Sequence, residues 1–167
     1  MSDAGAPVRA SADRLTDVLH DLRREIDRVE RRWPPFVSDM EAIGVLLEEV
    51  EELKEHVMLA QSHRNVAAMR TEAIQVATVA LRAWVGRATD RGVLLGAAID
   101  LWLRARVDAA PQPPFHSAHE GFAHLLRAYR EAEAFAFGTG SAEAFMRTAV
   151  TALRFALEVC DLDRARV

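Results

Sequence analysis

Between Leu47 and Glu55 the chain reads Leu-Glu-Glu-Val-Glu-Glu-Leu-Lys-Glu. On a helix this sets Glu49 and Glu52 three positions apart on one face, with Glu48 and Glu55 flanking them. On a wheel of about 100° per residue, Ile43, Leu46, Val50 and Val57 mark the buried side, Glu49 lies on its flank and Glu52 further round. Carboxylates held this close repel one another unless solvent or a cation screens them. Taken alone, such a run is most often a solvated acidic face. A second pair, Glu72 and Gln75, shares a helical side with Val76 and Val79 at the start of the most apolar stretch of the chain. A Glu buried there needs a partner or a cation. Were the two helices an antiparallel hairpin, Glu72 and Gln75 would face Glu49 and Glu52 across a groove. The result would be an oxygen-rich cluster of the kind hard divalent cations prefer. The alternative is a helix-start Glu at the protein edge beside a neutral, hydrogen-bonded Gln75.

Other groups are weaker candidates for chemistry. His116, His119, Glu120 and His124 form the densest histidine group, but no cysteine joins them and two of the three histidines sit at or before a helix start, so zinc is not expected. Arg82, Arg87 and Arg91 could pair phosphate bidentately and read more readily as surface arginines. Trp33, Trp84 and Trp102 read as core anchors. Cys160, near Asp161 and Asp163, has carboxylates opposing a thiolate. Glycine-rich phosphate loops, nucleophile elbows and E-x-x-H metal pairs are all missing from the sequence.

The elements that must position these residues are helices. Leu15, Val18, Leu19, Leu22, Ile26 and Val29 recur at steps of three or four, which predicts an amphipathic helix from about Ser11 to Trp33, stopped by Pro34-Pro35. Ser38 and Glu41 have capping-box spacing and open a second helix to about Ser62. A third is expected from Asn65 to Thr89 and a fourth from Arg91 to Asp108. A fifth follows, capped by Ser117 with Glu120 and running to Phe137. A sixth is capped by Ser141 and reaches Asp161. The class is all-α.

The chain also repeats itself. Pro34-Pro35-Phe36, Ser38, Glu41, Leu46, Leu47 and Glu52 recur, displaced by 79 positions, as Pro113-Pro114-Phe115, Ser117, Glu120, Leu125, Leu126 and Glu131. Further on, Ala77, Ala80, Leu81 and Arg82 match Ala149, Ala152, Leu153 and Arg154 at a displacement of 72, with Met69-Arg70-Thr71 against Met146-Arg147-Thr148 as a competing register. The expected organisation is a flexible tail over 1–10, a repeat with the candidate site over 11–89, and a second repeat over 90–167 packed on the first as a pseudo-dimer of about six helices.

The string E-E-V-E-E-L-K-E, followed by Met69-Arg70-Thr71-Glu72-Ala73-Ile74-Gln75-Val76-Ala77, resembles the MazG-like all-α nucleoside triphosphate pyrophosphatases. Their pattern is E-x-x-E on one helix and E-x-x-D on the next. Glu49 and Glu52 match the first pair and Glu72 the second Glu, while Gln75 stands where the family has Asp. The resemblance covers about residues 38–86, and the second copy only weakly. It implies a Mg²⁺-dependent cleavage of a nucleoside triphosphate to monophosphate and pyrophosphate, with Mn²⁺ as the alternative metal. Glu49, Glu52, Glu72 and Gln75 would be metal ligands, and Glu48, Glu49 and Glu52 the catalytic carboxylates. The partner would be a nucleotide, and the assembly a pseudo-dimeric monomer or a homodimer. In the second copy Glu49 maps to Ala128 and Glu48 to Arg127, so at most one such site is expected per chain. The competing expectation is a non-catalytic MazG-like scaffold, a nucleotide sensor or protein-interaction module.

Composition narrows the classes further. The chain has 167 residues, 50% of them hydrophobic, with 21 Lys and Arg against 25 Asp and Glu, so it can bury a single core and carries no basic block suited to nucleic acid. No run approaches the roughly 20 apolar residues of a membrane-spanning helix. A lone cysteine and a start without an apolar leader suit a cytoplasmic protein.

Overall fold

The computed structural model describes residues 6–59, 63–85, 96 and 113–162. Among them are five long helices and no strand: α1 (Ala6–Arg32), α2 (Asp39–Met58), α3 (Val66–Val85), α4 (Ala118–Ala136) and α5 (Glu143–Leu162). The helix expected over 91–108 lies outside the described residues except for Gly96, which is helical. Helix α1 begins at Ala6, so residues 6–10 are helical where the sequence suggests a tail. Pro7 is tolerated there because an N–H in the first turn has no helical acceptor to lose. None of these helices is long and apolar enough to cross a membrane.

Helices α2 and α4 start in the same way. Ser38 and Ser117 adopt the same extended backbone, φ −156° and ψ 162°. Their hydroxyls accept from the Glu41 and Glu120 N–H at 3.1 Å, and the two glutamates reach back to the N–H of Val37 and His116 at 2.6 and 2.7 Å. The hydroxyl half of the capping box is as the sequence anticipates, while the glutamate reaches one residue further back, to the N–H before the cap. Helix α2 ends at Met58, four residues before the expected Ser62, and Arg64 Nε donates to the freed carbonyls of Val57 and Leu59. Between α4 and α5 the backbone turns through Gly138 and Gly140, at φ 91° and 99°, a region that side chains avoid. The Gly138 and Thr139 N–H groups close a Schellman motif on Phe135 and Ala134 carbonyls.

Helices α3 and α5 share the most extensive interface. Helix α2 lies on α3, α4 lies on α5, α2 also meets α4, and α1 runs along α3 and touches α5. The core is filled from every element: Leu22 and Ile26 of α1, Leu46 and Leu53 of α2, Met69 and Leu81 of α3, Leu125 of α4, Phe145 and Phe155 of α5. Neighbours on three sides explain why α3 is buried continuously from Val76 to Ala83 and reads as apolar all round. The Thr78 and Thr148 hydroxyls, fully buried, are satisfied by the carbonyls four residues back, Ile74 and Ala144.

Arg82, read from the sequence as a surface residue, is 6% exposed. Its Nη2 donates to the carbonyls of Pro34 at 2.8 Å and Trp33 at 3.3 Å, its guanidinium lies 4.8 Å from the centre of the Phe36 ring, and Glu30 is 3.5 Å from Nε. The Pro-Pro corner has carbonyls with no helical donor, and the long arginine of α3 reaches them from within. Arg154 does the same at the second corner. It donates to Pro113 O, lies 4.5 Å from the Phe115 ring centre and pairs with Glu158 at 2.8 Å. Trp33, expected in the core, is 54% exposed beneath the Arg32 guanidinium, because the corner turns it outward. Trp84 packs at the core margin, and Trp102 lies outside the described residues.

Candidate metal centre

Helices α2 and α3 pack side by side, joined by a short connection that makes them an antiparallel pair. On α2, buried Val50 and Leu53 fix the helix rotation, which leaves Glu49 half-buried on the α3 side and Glu52 exposed at the groove. On α3, buried Met69, Ala73 and Val76 hold Glu72 at the facing position. One carboxylate oxygen from each of Glu49, Glu52 and Glu72 lies within 4.8 Å of the others, the only such acidic or histidine group among the described residues. Glu48, on the exposed side of α2, is not part of it.

Burial pushes the Glu49 carboxyl up to about 7, with the charges of Glu52, Glu72 and Glu25 adding to it and Arg28 opposing. Burial likewise pushes Glu72 to about 7, helped by the charge of Glu52, a hydrogen bond with it, and Glu25. Near neutral pH three carboxylates at this spacing are not all ionised without a counter-charge. One oxygen of Glu72, Oε2, is buried with no hydrogen-bond partner among the described residues. An orphaned buried oxygen in a carboxylate cluster is what a cation-binding site shows when only its protein atoms are considered. The donor set therefore fits a hard divalent cation.

Gln75, expected as a neutral ligand or supporting group, donates from Nε2 to Glu49 Oε2 at 3.1 Å. It orients Glu49 and keeps only its carbonyl to offer a cation.

Helix α1 supplies groups that the sequence reading missed. Glu25 falls in the apolar series Val18, Leu22, Glu25, Val29, at the spacing of a buried seam, and its charge acts on both Glu49 and Glu72. That interruption is the signal that could have found it. Arg28 holds Glu25 bidentately at 2.6 and 2.9 Å, an arrangement that raises the guanidinium's affinity for its proton. Glu25 also borders a cavity of about 790 Å³ between α1 and α3, whose walls include Arg24, Arg28, Arg70 and Thr71. Within it Arg70 pairs with Asp21 at 2.7 Å, and Arg24 pairs with the same carboxylate, which the two guanidiniums hold below its ordinary range against the opposing effect of burial.

The histidines lie apart from the cluster: His119 meets Arg64 at 3.2 Å, and His124 stacks on Phe115. Arg87 and Arg91 lie outside the described residues, as does the Cys160 side chain. Comparison of the chain with protein-family models, curated proteins and solved structures returned no match.

Proposed function

We propose that this chain is a MazG-like, Mg²⁺-dependent nucleotide pyrophosphohydrolase, cleaving a nucleoside triphosphate with water to the monophosphate and pyrophosphate. The observation that carries the reading is the meeting of Glu49, Glu52 and Glu72 from two helices around a buried, partnerless Glu72 oxygen. Those three carboxylates would hold the cation, with Mn²⁺ as an alternative. When bound, it would polarise the phosphate and offset the charge that develops as the phosphoanhydride opens. Gln75 fixes the direction of Glu49. Glu48, exposed beside it, would orient the attacking water.

In the same proposal the chain is a tandem duplication, a pseudo-dimer of two units, the second beginning near residue 90. The support is local: two serine caps of the same geometry, and two proline corners each clasped by an arginine of the unit's last helix. On this alignment Glu72 corresponds to Ala144, so the second unit lacks the cluster. One chain could therefore supply the whole helical core as a monomer, or pair as a homodimer.

A second reading is favoured by one observation. Gln75 places a neutral amide where the family has a carboxylate and spends it on Glu49, as a scaffold that has lost catalysis and kept nucleotide sensing or protein binding would. Product analysis separates the two. The purified chain and Glu52→Gln, prepared identically, are incubated with ribo- and deoxynucleoside triphosphates in Mg²⁺ and in Mn²⁺. Monophosphate and pyrophosphate from the parent alone are the expected result. No turnover by folded parent protein overturns the hydrolase.

A further inference from the structure

A second cavity, of about 280 Å³, opens between α4 and α5 and is lined by Phe115, His124, Arg127, Ala128, Glu131 and Arg147 among others. With Ser117 set on Ser38 and Arg154 on Arg82, it occupies the place in the α4–α5 pair that the carboxylate cluster occupies in α2–α3. Glu131 is retained there in the place of Glu52 and Glu143 also lines the cavity, while the other positions change character. Arg127 stands for Glu48, Ala128 for Glu49, Ala144 for Glu72 and Arg147 for Gln75.

We infer that the α4–α5 cleft binds a small phosphate-type oxyanion, gripped by Arg127 and Arg147. Arg147 already holds a carboxylate in this cleft, with Nε 2.9 Å and Nη2 2.8 Å from Glu131 Oε2, and both side chains remain about half exposed. Glu131 meets that guanidinium through one oxygen only, whereas a phosphate offers two oxygens and more charge and can displace it. Arg127 lines the same cavity and has no hydrogen bond or ion pair among the described residues, so its guanidinium is available. Ala128 opens the space that a glutamate fills on the other hairpin. The same lining brings the Phe115 ring within 5.3 Å of the His124 ring centre and 4.5 Å of the Arg154 guanidinium, adding aromatic and cationic groups to the cleft. The volume lies at the lower limit of ligand pockets, about 300–1,000 Å³, which suits phosphate or pyrophosphate better than a whole nucleotide. The inference does not need the hydrolase reading, because none of its residues belongs to the α2–α3 cluster.

The test is calorimetric titration of the full chain, free of divalent metal and at fixed ionic strength, with inorganic phosphate and separately with pyrophosphate. Saturable binding of at least one anion is expected, and a response to pyrophosphate alone assigns a two-phosphate ligand. Arg127→Ala and Arg147→Ala should each weaken it about tenfold or more, the loss of a charged hydrogen-bonding partner. Glu131→Gln, which frees Arg147 and removes a competing charge, should tighten it, and Glu52→Gln should leave it unchanged. Circular dichroism confirms that each variant is folded. Absence of binding by the parent, arginine variants that bind as the parent does, a Glu131→Gln variant that does not bind more tightly, or a loss in Glu52→Gln would each overturn the assignment.

Discussion

Replacing Glu72 by Gln should make the metal-free protein more stable, and only at the upper end of the pH range. In the unfolded chain Glu72 titrates at its ordinary value of 4.5, and in the folded chain at about 7, so between those values the folded state binds more protons. Stability contributed by the protonated form is complete below about 4.5 and is lost as pH rises through 7. A rise of this size in a fully buried group corresponds to about 3 kcal/mol. Glu72 keeps some contact with solvent, and its repulsion by Glu52 and Glu25 is partly screened, which reduces the expected gain at pH 8 to about 1–2 kcal/mol. Gln keeps the shape and can donate to Glu52, so no cavity offsets the gain. For a chain of this length the change is about 3–6 °C in melting temperature. Thermal melts in chelator at pH 5 and pH 8 should show the variant close to the parent at the first and above it at the second. Saturating Mg²⁺ should raise the parent by several degrees and the variant by less, since a ligand has been removed. A variant that melts at or below the parent at pH 8, or that differs from it equally at both pH values, would refute the clustered-carboxylate argument.

Three further outcomes follow from packing and backbone freedom. Arg82→Ala strips the Trp33 and Pro34 carbonyls of their donor and leaves Glu30 without its partner; urea melts should show a loss of about 2–4 kcal/mol. Gly121→Ala would place a methyl 2.8 Å from Phe155 Cδ2 and 3.1 Å from both Phe115 and Val159, and overpacking should cost about 1–3 kcal/mol. Gly44→Ala on α2, with open space around it, should instead gain about 0.5–1 kcal/mol by the same measurement.

What could be read from the sequence was what is encoded locally. The caps at Ser38 and Ser117 need only residues three or four positions apart, and the structure contains both. Glu49, Glu52 and Glu72 could be placed opposite one another because helical periodicity and a short connection fix two adjacent helices almost completely. Glu25 escaped notice because its effect depends on α1 lying along α3, a tertiary fact, although its intrusion into an apolar seam was visible. Arg82 departs from its surface reading for a related reason. An arginine in an apolar helix is ordinarily a surface group, and only the corner folded above it supplies the carbonyls and the ring that make burial tolerable. The early start of α1 at Ala6 shows that a proline near a chain end marks the first turn of a helix as readily as it marks a tail.

The arginine clasps have a consequence for how this architecture can be altered. Arg82 ties α3 to the corner at Pro34 and Arg154 ties α5 to the corner at Pro113, each from a side chain that is almost fully buried. Lengthening either corner would draw its carbonyls away and strip a buried guanidinium of acceptors it cannot replace with water. The two corners are therefore the wrong places to graft a foreign peptide, a tag or a sensor element.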